Sequence, residues 1–383
     1  MDPVTPAQKT FRCAPMHEAQ GVDPVGTAPR WDALLVVEIP GPWPRDISEA
    51  PPFSGLCQAP SATIEGADGR VWRPQGVVPV GPGTTVISYE RSVAEERRAG
   101  PFRRREWLLP EDRSGSLAHL CRVLIEADED AVAGFESMRN DPPEATVDLL
   151  LCTHGTRDVC CGGSGTALYG QLSGIGQPDS SDRAPTTSGA RVWRSSHAGG
   201  HRFAPTAISL PEGVSWSHLD STSATAVLRR ADSYDALAGH VRGALTLPEP
   251  TAQVADREGF HRYGWQWFST ERTATLLDRS TPGVASAGSD DGNHDGAATG
   301  TVPAVRSETW SVAAELDAGA AEVCVAVELA GRVPRPPCRT TPVDPTDIST
   351  AAADVEPVDT DDVWRVAAAH WDGASPGPSR TRL

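Results

Sequence analysis

The sequence has no apolar run that approaches the ~20 residues needed to span a bilayer. The start of the chain, Met1-Asp2-Pro3-Val4-Thr5, has neither a basic segment nor an apolar segment, so no secretory signal is visible. Both absences predict a cytoplasmic protein whose thiols stay reduced. In an intracellular chain of 383 residues, eight cysteines favour metal binding or catalysis over a disulfide framework.

Positive charge is also scarce. The chain has 34 Lys and Arg against 51 Asp and Glu, a formal net charge of −17, and Lys9 is the only lysine. This balance disfavours sequence-independent binding to nucleic acid and to anionic membranes. The acidic surface either serves solvation or steers the protein towards a basic redox partner. The oligomeric state is left open.

The length and composition predict several segments. We expect an N-terminal domain over 10–143, a second domain over 144–245, an irregular C-terminal extension over 246–340 with a flexible insertion at 279–301, and an acidic disordered tail over 341–383. No phosphate-binding glycine fingerprint follows a strand, so a bound dinucleotide is not supported.

Apolar periodicity and Pro/Gly punctuation predict the elements. Strands are expected at 31–39, 145–151, 191–194, 206–210 and 215–219, and helices at 114–126, 166–172, 223–230 and 252–261. Residues 265–277 and 307–329 look strand-rich, and 363–371 predicts a helical turn. The order β-α-β-β-β-α of the second domain predicts an α/β class with a mixed, thioredoxin-like sheet.

Both proposed domains place a buried strand before a loop, at 34–39 and at 149–151. The first loop carries Pro40-Gly41-Pro42-Trp43 where the second carries cysteine and histidine. Either the N-terminal domain is a related, degenerate copy of the second domain, or this similarity between the two segments arises by chance.

Two short loops concentrate metal-ligand side chains. Cys152 ends a predicted strand and is followed by Cys161, while His197 and His201 flank a Gly-Gly pair that indicates a loop. Thiolate and imidazole together suit iron–sulfur iron or zinc, not magnesium or calcium.

Two metal centres fit this set of ligands. In a 2Fe–2S cluster, two thiolates would hold one iron and two imidazoles the other, which raises the reduction potential as in Rieske centres. Imidazole also allows electron uptake to couple to proton uptake. The alternative is a structural zinc site with Cys₂His₂ ligation. The 35 residues between Cys161 and His197 do not fit a zinc finger.

Cys152-Thr-His-Gly-Thr-Arg-Asp-Val-Cys-Cys161, followed by Ser196-His-Ala-Gly-Gly-His201, resembles the sucrase/ferredoxin-like family, and the similarity covers roughly 10–270. The resemblance implies a thioredoxin-like ferredoxin domain. It also implies a bis-histidinyl 2Fe–2S cluster on Cys152, Cys161, His197 and His201. No paired-carboxylate pattern supports the glycoside hydrolysis that the word sucrase suggests.

Four neighbours of these ligands have open roles. Cys160 is an alternative ligand, a spare small residue, or half of a vicinal dithiol in a thiol–disulfide oxidoreductase. His154 either serves the metal from the second layer or fixes the loop. Arg157 and Arg202 either serve the centre, by offsetting cluster charge or contacting a redox partner, or form structural ion pairs.

These patterns favour an electron carrier over an enzyme. The expected partner is a redox protein such as a flavin-dependent reductase.

Overall fold

The structure is a computed structural model that describes residues 8–57, 63–91, 97–172, 189–280, 307–335, 339–342 and 359–373. In the first part of the chain the elements are β1 Gln8–Phe11, α1 Cys13–Ala19, β2 Ala33–Glu38, β3 Ile64–Glu65, β4 Val71–Val77, β5 Thr84–Glu90, β6 Arg98–Ala99, β7 Arg103–Leu109, α2 Leu117–Ile125 and α3 Glu129–Ala133. The second part contains β8 Val147–Cys152, α4 Thr166–Gln171, β9 Ala190–Ser195, β10 Ala207–Leu210, β11 Val214–Trp216, α5 Ser221–Arg229, α6 Tyr234–Leu237 and β12 Val241–Ala244. The rest forms α7 Pro250–Tyr263, α8 Trp265–Phe268, β13 Arg272–Ser280, β14 Ser307–Leu316, β15 Gly319–Arg335, β16 Arg339–Pro342 and β17 Asp359–Gly373.

Ten strands form one mixed sheet in the order β12-β11-β10-β8-β9-β4-β2-β5-β7, with β3 beside β4. Strand β8 runs parallel to β9 and β2 runs parallel to β4, whereas the other neighbours are antiparallel. The predicted α/β class with a mixed sheet is confirmed. The sheet and its flanking helices are consistent with the predicted thioredoxin-like fold.

The two halves of this sheet have the same topology. In the first half β4 is parallel to β2, β5 is antiparallel to β2, and β7 is antiparallel to β5. In the second half β9 is parallel to β8, β10 is antiparallel to β8, and β11 is antiparallel to β10. A helix follows each set, α2 and α5. Strands β4 and β9 meet antiparallel at Val77 and Ser195, which joins the two halves into one sheet.

One apolar core lies across both halves and holds the candidate ligands. Leu34 and Val36 of β2 pack there with Leu150 of β8, and all three are fully buried. Cys152 and Cys161 belong to the same core and have no exposed surface. The cysteines are therefore held in a rigid, dry environment.

The C-terminal extension corrects one expectation, because its described residues are mostly regular instead of irregular. Helix α7 packs against an antiparallel sheet of order β17-β15-β14-β13-β6. On β14, the alternate residues Trp310, Val312 and Ala314 face the core. This period of two is what a sheet with one buried face requires.

Two local predictions in the extension are wrong. Residues 265–268 form the short helix α8 before the strand starts at Arg272, because Trp267 and Phe268 pack onto α7 as a helical turn. Residues 363–371 form part of strand β17, since β15 offers an edge for it to pair with and Trp364 packs into the core. Residues 281–301 of the predicted insertion, and 343–358 and 374–383 of the predicted acidic tail, lie outside the described residues, whereas 359–373 of that tail form strand β17. Among the described helices, none has both the length and the hydropathy to cross a membrane.

Candidate metal centre

The cysteine loop begins where β8 ends at Cys152 and returns to the core through a single π-helical turn, Cys161–Gly165. Gly165 lies against the end of β8, where an added Cβ atom would come 1.9 Å from the carbonyl oxygen of Cys152. Only glycine permits this approach, which brings Cys161 back beside Cys152. Wide turns of this kind occur often at functional sites.

The histidine loop is extended from Ser196 and turns through Gly199 and Gly200, whose φ angles are +82° and +70°. Both angles lie in the left-handed region that favours glycine. A Cβ atom on Gly200 would also come 2.6 Å from Arg242 Nη2. The predicted role of the Gly-Gly pair as a loop-former is confirmed, since His201 begins a separate short turn, His201–Phe203.

Three of the four predicted ligands converge. The ligand atoms of Cys152, Cys161 and His197 lie within 4.8 Å of one another. A hydrogen bond from the Cys161 thiol and another from His197 hold the pKa of Cys152 well below its ordinary value. That shared bond and burial raise the pKa of Cys161. A metal is bound by thiolates, so binding at this pair would release the thiol protons.

His201, the fourth predicted ligand, faces a different set of side chains. Its Nδ1 atom lies 3.0 Å from Asp158 Oδ2 and 3.1 Å from Cys13 Sγ. Both contacts use Nδ1, so Nε2 is the ring nitrogen left for a metal. Ligating histidines usually present the other ring nitrogen to a carboxylate, which fixes the orientation of the ring.

Adjacent Cys160 and Cys161 diverge. Cys161 is hydrogen-bonded to Cys152, whereas Cys160 Sγ lies 3.8 Å from Cys13 Sγ at the start of α1. The Asp158 carboxylate accepts the backbone N–H of Cys160 at 2.8 Å. This arrangement places Cys161 beside Cys152 and His197, and Cys160 beside Cys13 and Asp158, the two residues that His201 contacts.

The sucrase/ferredoxin-like family profile matches residues 24–243, which is more than half of the 383-residue chain. The chain belongs to the sucrase/ferredoxin-like family. No curated protein and no solved structure gives a significant match. The match spans both halves of the large sheet and includes both loops of the candidate centre.

In this sucrase/ferredoxin-like protein His154 connects the two loops. Its Nδ1 atom accepts the backbone N–H of His197 at 3.1 Å, and its Nε2 atom donates to the carbonyl of Pro44 at 2.8 Å. Burial lowers the pKa of His154, which keeps the ring neutral and able to both accept and donate. The geometry corresponds to the loop-fixing role considered from the sequence.

Three side chains donate hydrogen bonds to backbone carbonyls of the histidine loop, and sequence spacing does not reveal them. Arg73 donates to the carbonyl of His197 at 3.0 Å and Gln75 donates to that of Ser196 at 2.7 Å, both from β4. Burial lowers the pKa of Arg73 to about 10. Arg242, from β12, donates to the carbonyl of Gly199 at 3.1 Å.

Arg157 and Arg202, the two arginines near the predicted ligands, each contact residues close to them in space. Arg157 lies 3.7 Å from Asp46 and donates to the carbonyl of Arg45. The guanidinium of Arg202 lies over the Phe203 ring, with its carbon 4.4 Å from the ring centre. Arg157 also lines a small cavity of about 120 Å³ beside His197.

The donor set fits a thiophilic metal centre. Two buried thiols and an imidazole converge without a magnesium-type or calcium-type oxygen cage. Nδ1 of His197 is buried and has no hydrogen-bond partner among the described residues, a state that costs free energy unless a ligand satisfies it. Sequence spacing does not reveal the contacts of Asp158 and Cys13 with His201, because Asp158 looks like an ordinary loop acid and Cys13 lies 188 residues from His201.

Proposed function

We propose that this protein transfers single electrons through a 2Fe–2S cluster held by Cys152, Cys161, His197 and His201. The observation that carries the proposal is the convergence of Cys152, Cys161 and His197 within 4.8 Å at the junction of the two halves. Membership of the sucrase/ferredoxin-like family supports the same reading.

The burial of the ligands suggests how they divide between the two irons. Cys152 and Cys161 are fully buried and would hold an inner iron. His197 is partly exposed, and the His201 side chain keeps 34% of its surface, so the histidines would hold the outer iron. Electrons would then enter and leave by the histidine side.

A bound 2Fe–2S cluster supplies one reversible electron-accepting centre, and replacing two thiolates by two imidazoles raises its potential. The protein keeps His201 in one orientation through Asp158 and keeps His197 in place through Arg73 and His154.

The partner we propose is a redox protein such as a flavin-dependent reductase, in the cytoplasm where thiols stay reduced. The formal net charge of −17 would steer a basic partner towards the protein. The partly exposed histidine loop is the surface at which electron exchange would occur.

A structural zinc ion is the second candidate. The three atoms that converge within 4.8 Å suit a single tetrahedral ion as well as an iron pair. In that case His201 would stay with Asp158 and Cys13, and the protein would have no electron-transfer role.

The deciding experiment is anaerobic purification of the full chain, followed by an absorption spectrum and by iron, zinc and sulfide assays. The proposal expects brown protein with matched iron and sulfide, lost in Cys152→Ser and kept in Cys121→Ser. Cys121 is a suitable control because it is buried in the core of the N-terminal half, and burial raises its pKa to about 12. Colourless protein with stoichiometric zinc would overturn the electron-transfer proposal and support the zinc site.

A further inference from the structure

We propose that Cys13 and Cys160 form a reversible disulfide that fastens helix α1 over the histidine side of the centre. The two Sγ atoms lie 3.8 Å apart, and the exposed fractions of the residues are 0% and 2%. Neither thiol is among the four ligands of the proposed cluster. The disulfide stands without the cluster, whereas its effect on the centre rests on the proposed function.

The two sulfurs are close enough to bond after a small movement. A disulfide has an S–S length of about 2.05 Å, so the sulfurs must approach by roughly 1.8 Å. Cys13 is the first residue of α1, and Cys160 directly precedes the π-helical turn that begins at Cys161.

Helix α1 covers the turn that carries His201. Cys13 Sγ contacts His201 Nδ1 at 3.1 Å, and the ring of His17 meets Phe203 edge-on at 4.6 Å between ring centres. A bond from Cys13 to Cys160 would tie this helix to the loop that carries Cys161. The histidine turn would then be clamped between two covalently joined segments.

The chemistry balances with a small hydroperoxide as the oxidant. The Cys13 sulfur takes an oxygen atom from hydrogen peroxide, giving a sulfenic acid and one water. The Cys160 sulfur then displaces the hydroxyl group, which leaves with the Cys160 proton as a second water. In sum, two thiols lose two hydrogens and two electrons, and the peroxide is reduced to two waters. A dithiol reverses the reaction by exchange.

The linkage fits a regulated bond better than a permanent one. Disulfides in a reducing compartment are usually transient or sensing. A buried pair is reached by peroxide more readily than by a bulky disulfide oxidant. Of the adjacent cysteines, Cys160 is the one that faces a thiol outside the candidate ligand set.

The test treats the reduced, cluster-loaded full chain with limited hydrogen peroxide, blocks free thiols under denaturing conditions, and maps tryptic peptides. Cleavage after Arg12, Arg30, Arg157 and Arg183 separates Cys13 (13–30) from the Cys160 peptide (158–183), and cleavage after Arg157 also separates Cys152. We expect a cross-link between peptides 13–30 and 158–183 that a dithiol removes.

Variants show which of the two cysteines in peptide 158–183, Cys160 or Cys161, forms the cross-link. Cys13→Ser and Cys160→Ser should each lose the cross-link, and Cys121→Ser should keep it. A cross-link that survives in Cys160→Ser, or Cys13 recovered fully blocked after oxidation, would overturn the proposal.

A second measurement follows the loss of the centre to a chelator. We expect slower loss from the oxidised protein than from the reduced protein, and no such difference in Cys160→Ser. Equal rates of loss from the oxidised and the reduced wild-type protein would overturn the proposal that the disulfide holds the histidine turn. The cross-link is expected even in protein that binds zinc or no metal, so failure of the proposed function and failure of this proposal give different results.

Discussion

The backbone N–H of His197 donates a hydrogen bond to Nδ1 of His154 at 3.1 Å, which joins the histidine loop to the cysteine loop. The same imidazole donates through Nε2 to Pro44, in the loop that follows β2. Strands β2 and β8 are equivalent in the two halves of the sheet, so one ring connects both equivalent loops to the candidate centre.

His154→Ala should therefore loosen the centre without removing a ligand. The substitution leaves the His197 N–H without its partner, at a cost of about 1–3 kcal/mol in the free energy of unfolding. Urea denaturation and iron content measure the effect. The matched change His119→Ala, at an exposed position, should leave both unchanged. Equal results for the two variants would contradict the connecting role.

The adjacent cysteines should behave differently. Cys161→Ser is expected to abolish metal binding, because Cys161 lies with Cys152 and His197. Cys160→Ser should keep the metal, because its side chain faces Cys13. Iron, sulfide and zinc content of the two variants decide the matter, and loss of metal in Cys160→Ser alone would reverse the assignment.

Asp158→Asn should raise the reduction potential of a cluster-loaded protein. The Asp158 carboxylate lies 3.0 Å from His201 Nδ1, and its negative charge disfavours addition of an electron nearby. The asparagine oxygen can still accept the N–H of Cys160, so the loop should survive. A rise of tens of millivolts is expected, since about 59 mV is a tenfold change in a one-electron equilibrium. A redox titration checks the prediction. An unchanged potential would mean that His201 does not bind the iron.

Asp148 should control acid stability, since it joins the two halves. Tyr89 and Arg104 reach its carboxylate from the N-terminal half, and Arg191 from the second half, at 2.6, 2.9 and 2.6 Å. Burial opposes ionisation, but the charges of Arg191 and Arg104 outweigh it and lower the pKa of Asp148 to about 2.

The stabilisation is fully present above the ordinary pKa of 3.8 and is lost as pH falls towards about 2. Asp148→Asn should lose about 3–5 kcal/mol at pH 7 and should flatten the pH dependence of the free energy of unfolding between pH 3.8 and 2. Urea titrations across that range test this. The exposed Asp130→Asn serves as the control, and parallel pH curves for both variants would contradict the assignment.

Much of the fold could be predicted from local patterns. The buried strands at 34–39 and 149–151 were visible because short apolar runs end in Pro, Gly or ligand residues, and the structure has β2 and β8 there. Strand β17 was missed because an Ala-rich segment looks helical until a partner edge is known. The continuous sheet across Val77 and Ser195 depends on a contact between residues 118 apart.

In the candidate centre, too, local patterns predict some residues, whereas others are revealed only by long-range contacts. Cys152, Cys161 and His197 were found because ligand types recur on short loops with glycine beside them. Cys13 and Arg73 carry no such local signal, since their relation to the loops arises only when α1 and β4 pack against the second half. Asp158 was visible in the sequence, but its pairing with His201 depends on how two loops fold back.

The most direct test of the central claim is pulsed electron paramagnetic resonance of the reduced full chain, prepared from cells supplied with ¹⁵N-labelled histidine. We expect the signal of a reduced 2Fe–2S cluster with couplings to two histidine nitrogens, one lost in His197→Cys and one in His201→Cys. A cluster signal without nitrogen coupling, or a diamagnetic protein that contains zinc, would contradict it.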